Sequence, residues 1–335
     1  MSSLVVVLPV LLGTLAMAGI SVSARWGLKG RQSPLPFLIL GMSSVSFTLA
    51  LFYTSVWGVR LPSKILPGFW SAVLVGTAAN YAIQYLNAKA STIKEGDVSF
   101  VAPLSAMTPG LVTILALTLG EIPSTLGFVG IVTIACGTWI LLFPKQIEHW
   151  WAYFGPVYRL SLIFRYHTLS EEEKGRAKVV WLMFASAIFG TLGIICDGLY
   201  VRRAGDLQGV ILALVVLTAL LAIGYVVQYL LTPKSAEKEL PVDRTFFLAA
   251  LCWVCGWVVH LALIQPTYAQ SYIAYVGSLK RLSVLLTIVL GWFLFREEDI
   301  RRRLFAGSLM VVGVIFIASD DLPALVITNI VGLGF

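Results

Sequence analysis

Long stretches without a charged residue alternate with short polar segments from one end of the chain to the other. A bilayer core about 30 Å thick is crossed by about 20 apolar residues in helical form. Runs of that kind predict ten spans, at roughly 4–24, 35–57, 68–88, 98–119, 126–143, 179–200, 207–231, 245–265, 271–294 and 304–319. The first begins almost at Met1 and lacks the basic flank of a signal peptide, so it is expected to be retained. The apolar tail at 322–335 is too short to cross.

Composition sharpens this reading. Of 335 residues 58% are apolar and only 12% charged, against about 25% charged in a soluble domain. The 24 basic and 17 acidic residues cluster between the apolar runs. A disordered chain, a disulfide-stapled secreted domain and an ordinary cytosolic enzyme are excluded. An all-α integral membrane protein is expected.

The loops carry the orientation signal. Those after spans one, three, five, seven and nine hold 18 Lys and Arg, among them Arg25, Lys29, Arg31, Lys145, Lys178, Lys234 and Arg301 to Arg303. The opposite loops hold four: Arg60, Lys64, Arg202 and Arg203. The positive-inside rule then puts the odd-numbered loops in the cytoplasm and both termini outside. The net charge of +7 is accounted for by these loops, so no nucleic-acid partner is required. The one long connection, 144–178, mixes aromatics with cations (Trp150, Trp151, Tyr158, Arg159, Phe164, Arg165), a composition suited to the headgroup region and to contact with membrane lipids. Ser170 and Glu173 at its end have the spacing of a capping box opening the sixth helix.

The two halves of the chain resemble one another. Gly13-Thr14-Leu15 recurs as Gly190-Thr191-Leu192 and Arg25 as Arg202, all at an offset of 177. Glu121 recurs as Glu297 and Gly137 as Gly313, at an offset of 176. Five spans per copy is an odd number, so the second copy runs through the bilayer in the opposite sense. The fold expected is ten transmembrane helices in two inverted five-helix repeats, over 1–143 and 179–321, with the linker 144–178 and the tail 322–335. Inverted repeats are characteristic of alternating-access transporters that bind substrate near the midplane.

Charges inside a span cost at least about 2.5–3.5 kcal/mol each. Lys280 and Arg281 lie about ten residues into span nine, near mid-bilayer at about 1.5 Å per residue. They are candidates for an anion site; the structural alternative pairs them with Asp197 or with backbone carbonyls of a broken helix. Pro103 and Pro109 interrupt span four and are candidate kinks. In span three Asn80, Gln84 and Asn87 share one helix face, with Tyr81 beside them. An amide stripe cannot face lipid, so it faces protein or water. Trp253, Trp257 and His260 share a face of span eight, and Tyr275 approaches Lys280 in span nine. Interhelical hydrogen bonding is the alternative for each of these side chains. Four cysteines and three histidines form no metal-binding pattern; Cys252 and Cys255 sit in an apolar run without a second ligand pair. No paired carboxylates, activated nucleophile or cofactor motif is present, so no catalytic residue, metal or cofactor is expected.

Two blocks carry a resemblance. Phe100 to Leu142 contains PLSAMTPGLVTILALTLGE followed by a glycine-containing helix. Tyr275 to Ala318 contains SLKRLSVLLTIVLGWFLFREE followed by RRRLFAGSLMVVGVIFIA. With ten helices in two repeats, the chain resembles the drug/metabolite transporter superfamily, in its EamA-like bacterial branch. That resemblance implies a multi-pass protein of the bacterial inner membrane that transports metabolites. The Lys280–Arg281 pair is also similar to one in plastid sugar-phosphate translocators and some nucleotide-sugar transporters, where it binds phosphate. The function expected is therefore a secondary transporter of a small polar or anionic metabolite. A flippase or scramblase for a lipid-linked phosphate, and a membrane scaffold without transport, are the competing readings.

Overall fold

The computed structural model describes residues 4–62, 64–105, 108, 111, 125–142, 169–232, 243–266, 282–297 and 299–320. Tyr275, Lys280, Arg281, Pro109, the aromatic part of the 144–178 linker and the tail 322–335 lie outside these described residues. Ten helices are described: α1 Leu4–Leu28, α2 Leu35–Trp57, α3 Phe69–Thr92, α4 Val98–Ser105, α5 Thr125–Leu142, α6 Glu171–Arg203, α7 Leu207–Leu231, α8 Arg244–Ile264, α9 Leu282–Phe295 and α10 Ile300–Asp320. No strand occurs among the described residues. The described fold is all-helical, and α1, α2, α5, α6, α7 and α8 are each long and apolar enough to cross a membrane.

Local chemistry sets where several helices begin. Glu173 N donates to the Ser170 hydroxyl, and Ser170 N donates to the Glu173 carboxylate at 3.0 Å. This reciprocal cap starts α6 eight residues before the apolar run at 179–200, inside the segment expected to be linker. Ion pairs Lys174–Glu171 at 2.7 Å and Arg176–Glu172 at 2.6 Å support that polar first turn. Asp206 caps α7 by accepting from Gly209 N at 2.8 Å, and Asp243 caps α8 by accepting from Phe246 N at 2.8 Å. Gly205, at φ +76°, makes the tight α6–α7 turn in the left-handed region that glycine enters without strain.

The helices pack as close pairs: α1 on α8, α3 on α6, α2 on α7, α5 on α10 and α4 on α9. The largest core lies among α1, α2, α3, α6, α7 and α8. Within it Phe37 meets Phe246 and Trp253 edge to face, with ring centroids 5.6 and 5.5 Å apart. Large apolar side chains point outward around the bundle, such as Phe47, Leu230 and Phe293. A water-soluble surface would not carry so many; they are the faces expected to meet lipid tails. The α5–α10 pair is the closest kind of contact, glycine against backbone. A Cβ on Gly313 would stand 2.6 Å from the Gly130 carbonyl oxygen, and one on Gly137 would stand 2.8 Å from the Ala306 carbonyl oxygen. Small residues admit such approach in membrane helices, where packing rather than water exclusion drives association.

Gly313→Val is expected to force α5 and α10 apart and cost about 1–3 kcal/mol. Gly19, where a Cβ meets nothing within 4 Å, supplies the control: Gly19→Ala should be neutral or slightly stabilising through helix propensity. Thermal unfolding of the detergent-solubilised protein reads both. Equal midpoints for the two variants would show that the glycine crossing is not tight.

Candidate functional site

The α1–α8 and α3–α6 pairs face each other across a cavity of about 250 Å³. Among the described residues most of its polar lining comes from α3 (Asn80, Gln84, Asn87, Ser91), α6 (Ser186, Asp197) and α8 (Trp257, His260), with Gln265 just beyond α8. Ser21 of α1, Thr218 of α7 and Thr108 add hydroxyls. Polar spacing alone turns the three amides of α3 to one side. What places them inside is the α3–α6 packing, where Gly193 admits the Ile83 side chain. This inward stripe also explains why α3 does not stand among the helices apolar enough to cross by composition. Its polar residues are covered by protein rather than by lipid.

The geometry separates fixed groups from available ones. The Ser186 hydroxyl donates to Asn87 Oδ1 at 2.8 Å and ties α6 to α3. Asn80 Nδ2 donates back to the Gly76 carbonyl at 3.0 Å. Gln265 Nε2 donates to Asp197 Oδ2 at 3.4 Å, which leaves the Gln265 carbonyl oxygen on the other side of that amide. Gln84 Oε1, Gln265 Oε1 and Trp257 Nε1 are buried and have no hydrogen-bond partner among the described residues. Gln84 is 6% exposed and Gln265 4%. A buried amide oxygen without a partner costs about 1–3 kcal/mol, so the cavity holds two acceptors and one indole donor suited to a polar occupant or to water. Trp253, Trp257 and His260 form an edge-to-face ladder, with centroids 5.7 and 5.5 Å apart in succession. The ladder gives one wall of the cavity an aromatic surface.

The structure thus brings together Asn80, Gln84, Asn87, Trp257 and His260 on one cavity. Tyr81 stands elsewhere. Its ring stacks on Tyr225 at 4.6 Å, its hydroxyl donates to the Gln228 amide oxygen, and the Tyr225 hydroxyl donates to the Tyr81 carbonyl at 3.2 Å. It therefore joins α3 to α7 and is not among the described lining residues. Pro103 lies in α4, next to Val101 and Ala102 of the lining, and withholds the backbone donor that the Ser99 carbonyl would otherwise receive. Sequence reasoning missed Ser91, Ser186 and Gln265. Ser91 continues the 80, 84, 87 spacing and Ser186 stands at 186, 190, 193, 197 with Gly190, Gly193 and Asp197, so helix periodicity could have found both, whereas Gln265, beyond α8, carries no such signal.

Tyr81→Phe is expected to lower stability by about 1 kcal/mol by orphaning Gln228, while the ring stack persists. A double-mutant cycle with Gln228→Leu should recover most of that loss; simple additivity of the two variants would rule out the hydrogen bond as its source.

No protein-family model matches the chain, and no curated relative matches it. The fold itself has solved counterparts. One, described only as the crystal structure of a protein, superposes with a TM-score of 0.58 at 13% identity, over 93% of this chain and 96% of the other. At that identity the likeness is one of fold alone.

Proposed function

We propose that the protein is a secondary transporter of a small polar or anionic metabolite, working by alternating access between two inverted five-helix halves. The observation that carries the reading is the cavity, which is built from helices of both halves and holds buried polar groups with no hydrogen-bond partner among the described residues. Pockets of roughly 300–1,000 Å³ take drug-sized ligands, so one of about 250 Å³ suits a small metabolite.

The packing supports the repeat. When each helix is exchanged with the one five places away, α1–α8 becomes α6–α3, and α2–α7, α4–α9 and α5–α10 become themselves. The lesser contacts follow, α2–α8 becoming α7–α3 and α1–α9 becoming α6–α4. Gly137 and Gly313, equivalent at an offset of 176, sit on opposite sides of the α5–α10 contact. Five helices per half reverses the second half across the membrane. The sequence resemblance to the drug/metabolite transporter superfamily points the same way and to a bacterial inner membrane, and the loop charges favour cytoplasmic odd-numbered loops.

In this reading Gln84, Asn87, Trp257 and His260 contact the substrate, while Lys280 and Arg281, with Tyr275 nearby, take its anionic group. No phosphate-binding loop of the nucleotide-hydrolysing kind occurs in the sequence, so gradients or exchange drive the cycle.

Thermal-shift screening against phosphorylated sugars, amino acids, nucleotides and polyprenyl phosphates, followed by uptake into proteoliposomes, tests the reading. A soluble anion is expected to raise the midpoint and be taken up. Lys280→Ala and Arg281→Ala should each cut that uptake at least about tenfold, and Gln84→Ala by less. Unchanged uptake in both cation variants would falsify the anion assignment. Movement of the polyprenyl phosphate alone would replace transport of a metabolite by lipid flipping.

A further inference from the structure

At one end of the bundle the basic loops enclose a cluster of charges that is largely buried, with Asp97 half-buried at its edge. Arg25, at the end of α1, is 1% exposed. Its guanidinium donates to the carbonyls of Ser91 at 2.9 Å, Ile93 at 2.6 Å and Lys94 at 2.8 Å, where α3 ends, and stands 3.8 Å from Asp97. Helix C-termini present unpaired carbonyls and a partial negative charge, which a cation satisfies. From the other half of the chain, Arg303 at the start of α10 donates to Asp97 at 2.8 Å and lies 3.4 Å from Glu297. It also donates to the Ser99 hydroxyl, and its guanidinium lies over the Phe100 ring at 5.9 Å. Glu297 in turn accepts from Ser99 N at 2.8 Å and from the Ser99 hydroxyl. A carboxylate from the second half thereby caps the N-terminus of α4 in the first.

The cluster is contiguous with the cavity. Ser91, whose carbonyl Arg25 holds, lines it, as do Leu28, one turn beyond Arg25, and Val101 and Ala102, just after Ser99. Asp97 faces a guanidinium from each half, Arg25 and Arg303, and Glu297 reaches across to the Ser99 backbone. At the offset of 176 that relates the halves, Arg303 falls on Gly127 and Asp97 on Ile273. Arg25 and Glu297 do have charged counterparts, Arg202 and Glu121, so it is the Arg303–Asp97 ion pair that the repeat does not reproduce.

We propose that the Arg25–Asp97–Ser99–Glu297–Arg303 cluster is an ionic latch that shuts the cavity toward the basic face and opens when that face takes its turn. This deepens the transporter reading and rests on it. Buried ion networks are close to energetic balance as a whole yet costly to leave half-made, so such a cluster is either closed or parted and does not yield by degrees. Static mortar is the competing role, and it differs in one respect: its loss would loosen the bundle without favouring either face.

Labelling of a single cysteine separates the two. Ser186→Cys, a near-isosteric change on the cavity wall, is introduced into a cysteine-free background and exposed to a membrane-impermeant maleimide from each side of sealed vesicles. In the parent, labelling from the basic face is expected to be slow. Arg303→Ala and Asp97→Asn should each raise that rate about tenfold or more, and Ser99→Ala by a smaller factor, with no rise from the opposite face. Should Arg303→Ala fail to fold, Asp97→Asn and Ser99→Ala decide, since Asp97 is 32% exposed and Ser99 gives up only a hydroxyl. Rates within twofold of the parent in both monodisperse variants, or equal rises from both faces, overturn the latch. The readout needs no substrate. Uptake in the parent together with flat labelling would defeat the latch and leave transport standing, whereas absence of uptake and of any thermal shift would defeat transport itself.

Discussion

In hydrocarbon a polar group must find its partner inside the protein, and this one constraint orders the structure. Hydroxyls in the helices return to the carbonyl one turn back, as Thr77 does to Val73, Thr138 to Ile134 and Thr218 to Leu214. Longer polar side chains have no such local solution. The amides of α3 and the indole and imidazole of α8 are therefore gathered on the inner faces, and the α3–α6 and α1–α8 pairs enclose them. The cavity is the consequence: polar groups turned away from lipid, too many and too widely spaced to satisfy one another completely.

How much of this the sequence discloses depends on whether the signal is local. Apolar runs and the Ser170–Glu173 cap are local, and eight of the described helices occur where those patterns put them, while α4 and α9 cover only the described parts of their runs. The stripe Asn80–Gln84–Asn87 is local too, and its spacing alone requires an inward face. Which neighbour it meets is not local. Tyr81 sits in the same turns as the stripe, yet its partners Tyr225 and Gln228 lie more than 140 positions along the chain and hold it in a different interface. Ser186 reaches the site only through α3–α6 packing, and Gln265 through a carboxylate 68 positions away.

Charge counting shows the same limit. Arg25 and Arg303 enter a tally of loop charges as if each were solvated, and that tally still carries the orientation signal because insertion responds to charge before the fold is complete. In the folded chain both guanidiniums are enclosed: Arg25 against the carbonyls ending α3, Arg303 against Asp97 and Glu297. Glu297, which the sequence shows only as the recurrence of Glu121, is buried and caps a helix from the other half of the chain. One residue can thus serve topology during insertion and tertiary structure afterwards. Only the first role is visible as composition.

The two ends of the bundle consequently hold together by different chemistry. At the N-terminal end of α3, Arg203 donates to the Gly68 carbonyl at 3.2 Å, Leu66 N donates to the Arg203 carbonyl at 2.9 Å, and Gln208 reaches the Tyr53 hydroxyl at 3.0 Å and the Arg60 carbonyl at 2.9 Å. Bonds of this kind beside solvent are each worth about 0.5–1.5 kcal/mol and exchange readily with water. At the C-terminal end of α3 the partners are buried charges, and removing one member of such a pair costs about 3–5 kcal/mol. An inverted repeat would by itself make its two ends equivalent. On the proposed repeat, Gly127 and Ile273 fall where Arg303 and Asp97 stand in the other copy, and that equivalence is lost. On that reading the same substitutions set which end is held by charge, and the bias proposed between the two faces lies in side chains outside the cavity rather than in the groups that line it.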